Sequence, residues 1–185
     1  MRIALALSVL LLSLSAQAHE ESHTLGALIG TGSMHNDYEF EDKDYTINSG
    51  IFYQYHFSPK YSLTATYLRG ATSWCIVTCD SSDTVRLFHY NMEQLGFKRN
   101  FSVSKRWSLF AEVTANEYHT TFTGQDSGYG IYNLPKRKNS GINAAEAVGI
   151  EFNARNGLQV GFRFQYAPMK HVDIQTYNAF VGFSF

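Results

Sequence analysis

Residues 158–185 read LQVGFRFQYAPMKHVDIQTYNAFVGFSF, and this stretch decides the fold. From residue 158 to residue 166 every second side chain is apolar, and the positions between them are polar or glycine. After a break at 167–173 the alternation resumes and continues to the last residue, Phe185. Successive side chains of a strand point to opposite faces, so a period of two over this length predicts two extended strands. Aromatic rings crowd the apolar face: Phe162, Phe164, Tyr166, Tyr177, Phe183 and Phe185.

The same alternation upstream predicts six further strands, which gives eight in total. Five of them are predicted at 24–32, 45–57, 61–67, 84–101 and 107–116, and the sixth is predicted to end near 152. The fourth strand changes parity, because its apolar residues are even-numbered up to 92 and odd-numbered from 95 onward. A β-bulge produces such a change, so we expect one between Asn91 and Gln94.

The predicted connections alternate in length. Residues 34–44, 72–83 and 121–140 form long connections, whereas 58–60, 102–106 and 154–157 form short ones. Outer-membrane barrels share this asymmetry, with short periplasmic turns, longer external loops and an even number of strands. Aromatic residues also fall near both ends of the strands, where the two membrane interfaces would lie. The predicted fold class is therefore all-β, an eight-stranded antiparallel up-and-down transmembrane β-barrel.

These features, with the ending YNAFVGFSF at 177–185, resemble the small OmpA/OmpX-like outer-membrane β-barrels over the whole mature chain. The resemblance implies a place in the bacterial outer membrane and contact with outer-membrane lipids and lipopolysaccharide. It also implies recognition by the barrel-assembly machinery through the C-terminal strand that ends at Phe185. No motif selects one family member or one ligand, and a host or cell-surface ligand remains an open expectation.

Residues 1–18 have the pattern of a cleaved signal peptide. Arg2 is followed by an apolar run at 3–14 and by the small-residue cleavage pattern at 16–18. The predicted mature domain therefore covers 19–185.

Export bears on the two cysteines, because exported thiols are usually oxidised. We expect Cys75 and Cys79 to form a disulfide within the polar segment between the third and fourth strands. A metal site is the weaker interpretation, since two ligands with no histidine nearby leave a tetrahedral shell open. We expect no cofactor, and a formal net charge of −1 argues against a nucleic-acid partner.

An eight-stranded barrel is only wide enough for its own side chains to fill the lumen. A hydrogen-bonded polar core is therefore favoured over a conduit or an internal catalytic site. Within it we expect Arg163 to pair with Glu112 and Glu151, because a lone buried charge is costly. We also expect Gly161 to lie beside Phe180. The predicted inward polar residues are Gln54, His56, Glu112, Asn116, Glu151, Gln159, Arg163, Gln165 and Asn178.

The third long connection contains three consecutive basic residues, Lys136, Arg137 and Lys138, which we expect at its tip. They offer a binding site for lipopolysaccharide phosphates or for a sulfated host polysaccharide. The alternative is a solvated run of charge with no specific ligand.

Enzymes on similar small barrels, such as lipid A deacylases and acyltransferases, must also be weighed. The deacylases carry His-x-Ser on the seventh strand, whereas residues 165–169 read QYAPM here. His119 with Glu117 and Thr120, or His171 with Asp173, could act as general bases, but neither has a nucleophile at fixed spacing.

We therefore expect a non-catalytic protein that presents surface loops for adhesion and colonisation, a role in virulence, or for envelope integrity. The alternatives are a lipid A-modifying enzyme, a narrow pore and a soluble lipocalin-like carrier.

Overall fold

The computed structural model describes residues 22–36, 44–72, 85–125, 137–170 and 172–185. Each strand pairs antiparallel with the next along the chain, and β1 pairs with β8 to close a barrel. The predicted eight-stranded fold class is confirmed. The strands are β1 (Ser22–Asn36), β2 (Asp44–Ser58), β3 (Tyr61–Thr72), β4 (Val85–Ser102), β5 (Trp107–Gln125), β6 (Arg137–Asn153), β7 (Leu158–Met169) and β8 (Val172–Ser184).

In the part of the chain that the structure describes, no helix is long and apolar enough to cross a membrane.

The seam between β1 and β8 reaches the last residue of the chain. The His23 N–H donates to the Phe185 carbonyl at 3.0 Å, and the Phe185 N–H donates to the His23 carbonyl at 2.9 Å. Every strand therefore has a neighbour on both sides at the short-turn end, which is the end that holds the turns after β2, β4 and β6. An open sheet edge within lipid would leave backbone groups without hydrogen bonds, and closure removes that edge.

The predicted β-bulge in β4 is wrong. The pairing of β4 with β3 and with β5 keeps one register along its whole length. Even-numbered residues of β4 face the interior from residue 88 to residue 100, so Phe88, Tyr90 and Met92 are buried while Leu95 and Phe97 are exposed. The direction of the side chains along the strand therefore does not change. The apolar residues lie on the inner face up to Met92 and on the outer face from Leu95 onward.

That exchange of faces divides the barrel into two zones. In the zone nearer the short turns, which we call the membrane belt, most outward side chains are apolar and most inward ones are polar. Four apolar side chains of the described strands also face inward here: Leu28, Phe52, Phe110 and Phe180. On β5 the belt runs from Trp107 to Ala115, a rise of about 20 Å for a strand tilted by about 40°. This height is close to the ~25 Å apolar band of outer-membrane barrels.

Beyond the belt lies a second zone, which we call the outer section. Here many outward residues are polar, as with Glu93 on β4 and with Glu117 and His119 on β5. The inward residues form an apolar core like that of a water-soluble barrel. This core contains Met34, Leu68, Phe88, Tyr90, Met92, Tyr118, Ala145, Ala167, Met169, Val172 and Ile174.

The facing of the last two strands agrees with the sequence pattern. Phe162 is 67% exposed on the outer surface, whereas the neighbouring Arg163 is 6% exposed inside the barrel. Gly161 pairs with Phe180, as expected. A Cβ at Gly161 would overlap the Phe180 ring and the Ile150 carbonyl, so the glycine makes room for the ring.

Several strands are longer than the alternation predicts. β1 was expected at 24–32 but covers Ser22–Asn36, and β3 was expected at 61–67 but continues to Thr72. β5 and β6 also extend into the expected third loop, to Gln125 and from Arg137 respectively. Backbone pairing needs no alternation of polarity, so it continues in the outer section after the membrane pattern has ended.

Candidate functional site

Two ion pairs lie in the lumen of the membrane belt. The Lys98 Nζ is 2.5 Å from the Glu151 Oε2, and the Arg163 Nη2 is 3.1 Å from the Glu112 Oε2. All four side chains are buried. Each charge therefore has its opposite within contact distance, which offsets part of the cost of taking it out of water.

The first pair is held by further contacts with its surroundings. The Gln159 side chain donates to the Glu151 Oε2 at 3.0 Å, and the Asn153 side chain donates to the Glu151 Oε1 at 3.4 Å. The ammonium of Lys98 lies 4.2 Å from the centre of the Phe110 ring. The face of the aromatic ring attracts the ammonium group, and this attraction is stronger because the group is buried away from water.

The second pair connects three strands to β7. Thr64 on β3 donates to the Glu112 Oε1 at 2.5 Å, and the Arg163 Nη2 donates to the Gln94 Oε1 at 3.4 Å. Side chains from β3, β4, β5 and β7 thus meet in one polar layer across the barrel. This layer fixes the relative positions of strands that are not neighbours in the sheet.

The structure places Glu112, Glu151 and Arg163 inside the barrel, but Arg163 contacts only Glu112 among the ion pairs of the described residues. Sequence reasoning missed Lys98, the partner of Glu151. The signal was present, because Lys98 has the same parity as Gln94 on β4 and follows the outward Phe97. The predicted polar residues are buried, except that His56 is half-buried near the short-turn end and its Nε2 lies 3.1 Å from the Thr24 Oγ1.

The described side chains leave little free space between the two ion pairs. The cavity there has a volume of about 20 Å³, which is room for roughly one water molecule. Lys98, Glu112, Arg163, Phe110 and Phe180 line it. The apolar core of the outer section then fills the lumen above this layer. The interior is therefore arranged for packing and for satisfying its own charges.

Among the described residues, the proposed general base His119 and its proposed partner Thr120 do not lie together. The His119 Nε2 lies 3.7 Å from the Glu117 Oε1, with both side chains on the exposed outer face of β5. Thr120 faces the interior, and its Oγ1 lies 3.4 Å from the Asn139 carbonyl. Asp173 accepts a hydrogen bond from the Tyr166 hydroxyl at 2.9 Å. The side chain of His171 lies outside the described residues.

The other predicted sites fall partly beyond what the structure describes. Cys75, Cys79 and Lys136 lie outside the described residues. Arg137 and Lys138 are exposed at the start of β6, so they do not occupy the tip of a loop. The expectation that they lie at a loop tip is wrong, because pairing with β5 extends to Arg137.

In the outer section, β4, β5 and β6 form a sheet that projects past its neighbours. β5 pairs with β4 as far as Val85↔Gln125 and with β6 as far as Phe122↔Arg137, whereas pairing of β6 with β7 stops at Glu146↔Tyr166. Residues 137–145 of β6 therefore have a strand on one side only. We call the other side of this segment the β6 edge.

Pro168 explains why the pairing stops. If the register continued, Pro168 would face Ala144, and a proline has no N–H to donate. Side-chain amides occupy the gap in part, because the Asn143 side chain donates to the Pro168 carbonyl and the Asn139 side chain donates to the Lys170 carbonyl at 3.1 Å.

The direction of the backbone groups along β6 follows from the two hydrogen bonds at its end. The Asn153 N–H donates towards β5, to the Arg106 carbonyl, whereas the Ala154 N–H donates towards β7, to the Leu158 carbonyl. Since this direction alternates along a strand, even-numbered residues point their N–H groups at the β6 edge. Ile142 is one of them, and its side chain is 82% exposed.

Comparisons with known proteins agree with this architecture. The family model described as outer membrane protein beta-barrel domain matches residues 4–185. No curated protein matches the chain. Among solved structures, Ail, the attachment invasion locus protein of Yersinia pestis, aligns with a TM-score of 0.61 and 16% identity over 89% of this chain and 98% of Ail. Ail has also been solved in complex with the heparin analogue sucrose octasulfate.

Two further structures are similar. Neisserial surface protein A aligns with a TM-score of 0.63 and 11% identity over 90% of this chain and 100% of its own. The N-terminal β-barrel domain of Pseudomonas aeruginosa OprF aligns with a TM-score of 0.53 and 15% identity over 89% of this chain and 97% of its own. At these identities the likeness shows the fold alone.

Proposed function

The chain belongs to the outer membrane protein β-barrel family, and from this premise we propose that it is a non-catalytic adhesin that binds through the β6 edge. Its location is the bacterial outer membrane. Barrels of this kind have their short turns in the periplasm and their long connections outside the cell. The outer section, and the β6 edge with it, is therefore the part that meets external partners.

The β6 edge is the single observation that carries the proposal. Unpaired N–H and C=O groups in a row are a template for a further strand, and proteins usually shorten or cover such edges. Here the edge covers residues 137–145, lies beyond the lipid and includes the exposed apolar side chain of Ile142. The side-chain amides of Asn139 and Asn143 reach across it, to carbonyls at the end of β7. An extended segment of a protein could add to it as a strand, with backbone hydrogen bonds supplying affinity.

The charges of the outer section favour a protein segment over a polyanion as the ligand. Arg137 and Lys138 at the start of β6 are exposed, and they pair with β5 four to five residues beyond Glu117. Glu117 in turn pairs with Glu93 on β4, so the described surface of the outer section carries charges of both signs. A sulfated polysaccharide needs a concentrated basic surface. The heparin analogue bound to Ail is therefore kept as an alternative ligand class, to be tested beside the protein segment.

Substitution of Ile142 by proline tests the proposal. Proline removes the N–H that points at the β6 edge, and it leaves the hydrogen bonds to β5 in place, since the N–H groups of odd-numbered residues make those. We expect a laboratory bacterium that expresses the Ile142→Pro variant to adhere to cultured epithelial monolayers several-fold less than one that expresses the unchanged protein. Ile142→Thr is the matched control, because it alters the side chain but keeps the N–H.

Any of three results would contradict the proposal or favour another function. Equal adhesion of the proline variant would exclude the β6 edge as the binding element. Retention of the purified protein on immobilised heparin, lost in Lys138→Gln, would favour a sulfated ligand. A change in the acyl chains of lipid A, detected by mass spectrometry of cells with and without the gene, would identify a lipid A-modifying enzyme.

A role in envelope integrity is distinguished by a separate measurement. Cells without the gene would then become sensitive to detergent, and the Ile142→Pro variant would restore their resistance as fully as the unchanged protein does.

A further inference from the structure

Arg99 carries a positive charge on the lipid-facing wall of the barrel. It follows the inward Lys98 on β4, so its side chain lies on the opposite, outer face, and it is exposed. The carbon at the centre of its guanidinium group lies 4.9 Å from the centre of the Phe101 ring and 5.8 Å from that of the Tyr61 ring. These distances are within the range of a cation–π contact.

The rings around Arg99 form one continuous surface, which we call the aromatic patch: Phe57, Tyr61, Phe97 and Phe101. Phe57 stacks on Tyr61 with ring centres 6.3 Å apart and planes at 9°, and Tyr61 packs on Phe97 at 5.5 Å. The patch lies at the short-turn end of the membrane belt, where aromatic residues mark the periplasmic interface.

The three short turns are positively charged. The three short turns carry Lys60, Lys105, Arg106 and Arg155, and they contain no aspartate or glutamate. Lys60 is next to the patch, because its carbonyl accepts a hydrogen bond from the N–H of Asn100 at 2.7 Å. Arg99 therefore has a second cationic residue on the adjacent turn, since Lys60 precedes Tyr61, which pairs with Arg99.

No carboxylate of the described residues neutralises Arg99. The ion pairs in the described ranges are Lys98–Glu151, His119–Glu117 and Arg163–Glu112. Glu112 and Glu151 face the interior and are already paired. Glu146 is exposed on the outer face of β6 opposite Val113, and it belongs to none of these ion pairs. A cation at the edge of the hydrocarbon region is stabilised by an anion, so a partner from outside the protein fits this position.

We propose that Arg99, Lys60 and the aromatic patch bind an anionic phospholipid of the periplasmic leaflet. The planar guanidinium donates two parallel N–H groups to oxygens of the lipid phosphate. The ammonium of Lys60 favours a headgroup with net negative charge over a zwitterionic one. The acyl chains lie against the exposed rings of Phe57 and Phe97.

The position of the site selects phospholipid over other sources of phosphate. Lipopolysaccharide occupies the outer leaflet, at the other end of the belt. Soluble phosphates and the cell-wall polymer have no hydrocarbon chain to cover the aromatic patch. A phospholipid offers both the anionic headgroup and the apolar tail that the two parts of the site require.

Lipid selectivity in reconstituted membranes tests this assignment. The mature protein is placed in phosphatidylcholine vesicles that contain a trace of spin-labelled phosphatidylglycerol or spin-labelled phosphatidylcholine. Electron paramagnetic resonance then gives the fraction of each label that the protein immobilises. We expect phosphatidylglycerol to be preferred about fivefold, which corresponds to one interfacial cation acting on one anionic headgroup.

Variants that each remove one charge show which residue causes the preference for phosphatidylglycerol. Arg99→Gln is expected to bring the ratio of the two lipids close to one, and Arg99→Lys to keep part of the preference, because a lysine cannot bind the phosphate through two N–H groups. Arg69→Gln is the matched control, since Arg69 is an exposed arginine on β3 nearer the long-connection end, and its ratio is expected to equal that of the unchanged protein.

The proposal is overturned if the unchanged protein shows no preference, if Arg99→Gln retains it, or if Arg69→Gln lowers it as much. If Arg99→Gln does not fold, Lys60→Gln in the exposed turn takes its place. An unaltered lipid ratio in that variant would equally overturn the site.

Discussion

Lys98 and Glu151 face each other across the interior of the barrel, with 2.5 Å between Nζ and Oε2 and with both side chains 1% exposed. Neither charge can be hydrated by bulk solvent at this depth. The pair is therefore a strong constraint on the fold, because removal of one partner leaves the other charged group buried without compensation.

Replacement of Lys98 by methionine is expected to lower the free energy of unfolding by about 3–5 kcal/mol. The thioether side chain fills a similar volume, so the loss reports the unpaired Glu151 carboxylate and not a cavity. Urea unfolding in lipid vesicles, followed by tryptophan fluorescence, measures the change. The double variant Lys98→Met with Glu151→Gln is expected to recover most of the loss, since neither partner then carries a charge. A double variant that is less stable than Lys98→Met would contradict this explanation.

The membrane belt predicts a dependence on depth for arginine substitutions on the outer face. Phe162 lies midway along β7, whereas Leu158 begins the strand at the interface. Phe162→Arg is expected to cost about 2–4 kcal/mol, and Leu158→Arg about 0–1 kcal/mol, since the cost of a charge falls towards the headgroups. The measurement is the urea midpoint in lipid vesicles. Equal costs at the two positions would place the belt at a different height.

Sequence periodicity predicts the belt well and the outer section poorly. Alternation with outward aromatic residues is a strong signal wherever lipid covers the wall, so β7 and β8 could be placed residue by residue. In the outer section water surrounds the wall and the core is apolar, so the apolar side chains of a strand lie on its inner face and not on its outer face. The reversal at Met92 and Leu95 has the same sequence pattern as a bulge, and only the unbroken register of β4 separates the two.

Individual partners in the lumen are harder to predict than the facing of the side chains. The odd or even position of a residue along its strand assigns Glu151 and Arg163 to the interior. It does not give the distance from either side chain to those of the strands across the barrel. Glu151 pairs with Lys98, which is 53 residues away in the sequence. Such a contact depends on barrel closure and shear, which the pattern of a single strand does not contain.

The apolar core of the outer section predicts an effect of truncation at Leu68. This side chain is fully buried inside the barrel, whereas the adjacent Arg69 is exposed on the outer face. Leu68→Ala is expected to destabilise the protein by about 2–5 kcal/mol through lost burial and the cavity that remains. Arg69→Ala is the control, with an expected effect within about 0.5 kcal/mol. If Leu68 faced lipid instead, its truncation would leave the urea midpoint nearly unchanged.

Processing of the chain remains a prediction that one measurement checks. The apolar run at 3–14 followed by small residues at 16–18 predicts cleavage after Ala18. N-terminal sequencing of the protein from the outer-membrane fraction is expected to begin at His19. A chain that still begins at Met1 in that fraction would contradict the predicted signal peptide.

The predicted disulfide between Cys75 and Cys79 tests how far the barrel depends on its second long connection. The two cysteines lie between β3 and β4, whose pairing extends to Ala71↔His89 without them. We expect the protein from the cell envelope to react with maleimide only after reduction, at both thiols. The ring closed by such a bond is short, so its loss is expected to lower stability by at most about 2 kcal/mol. The reduced protein should still migrate in its folded form during electrophoresis without heating. Unfolding on reduction would show that the connection stabilises the barrel itself.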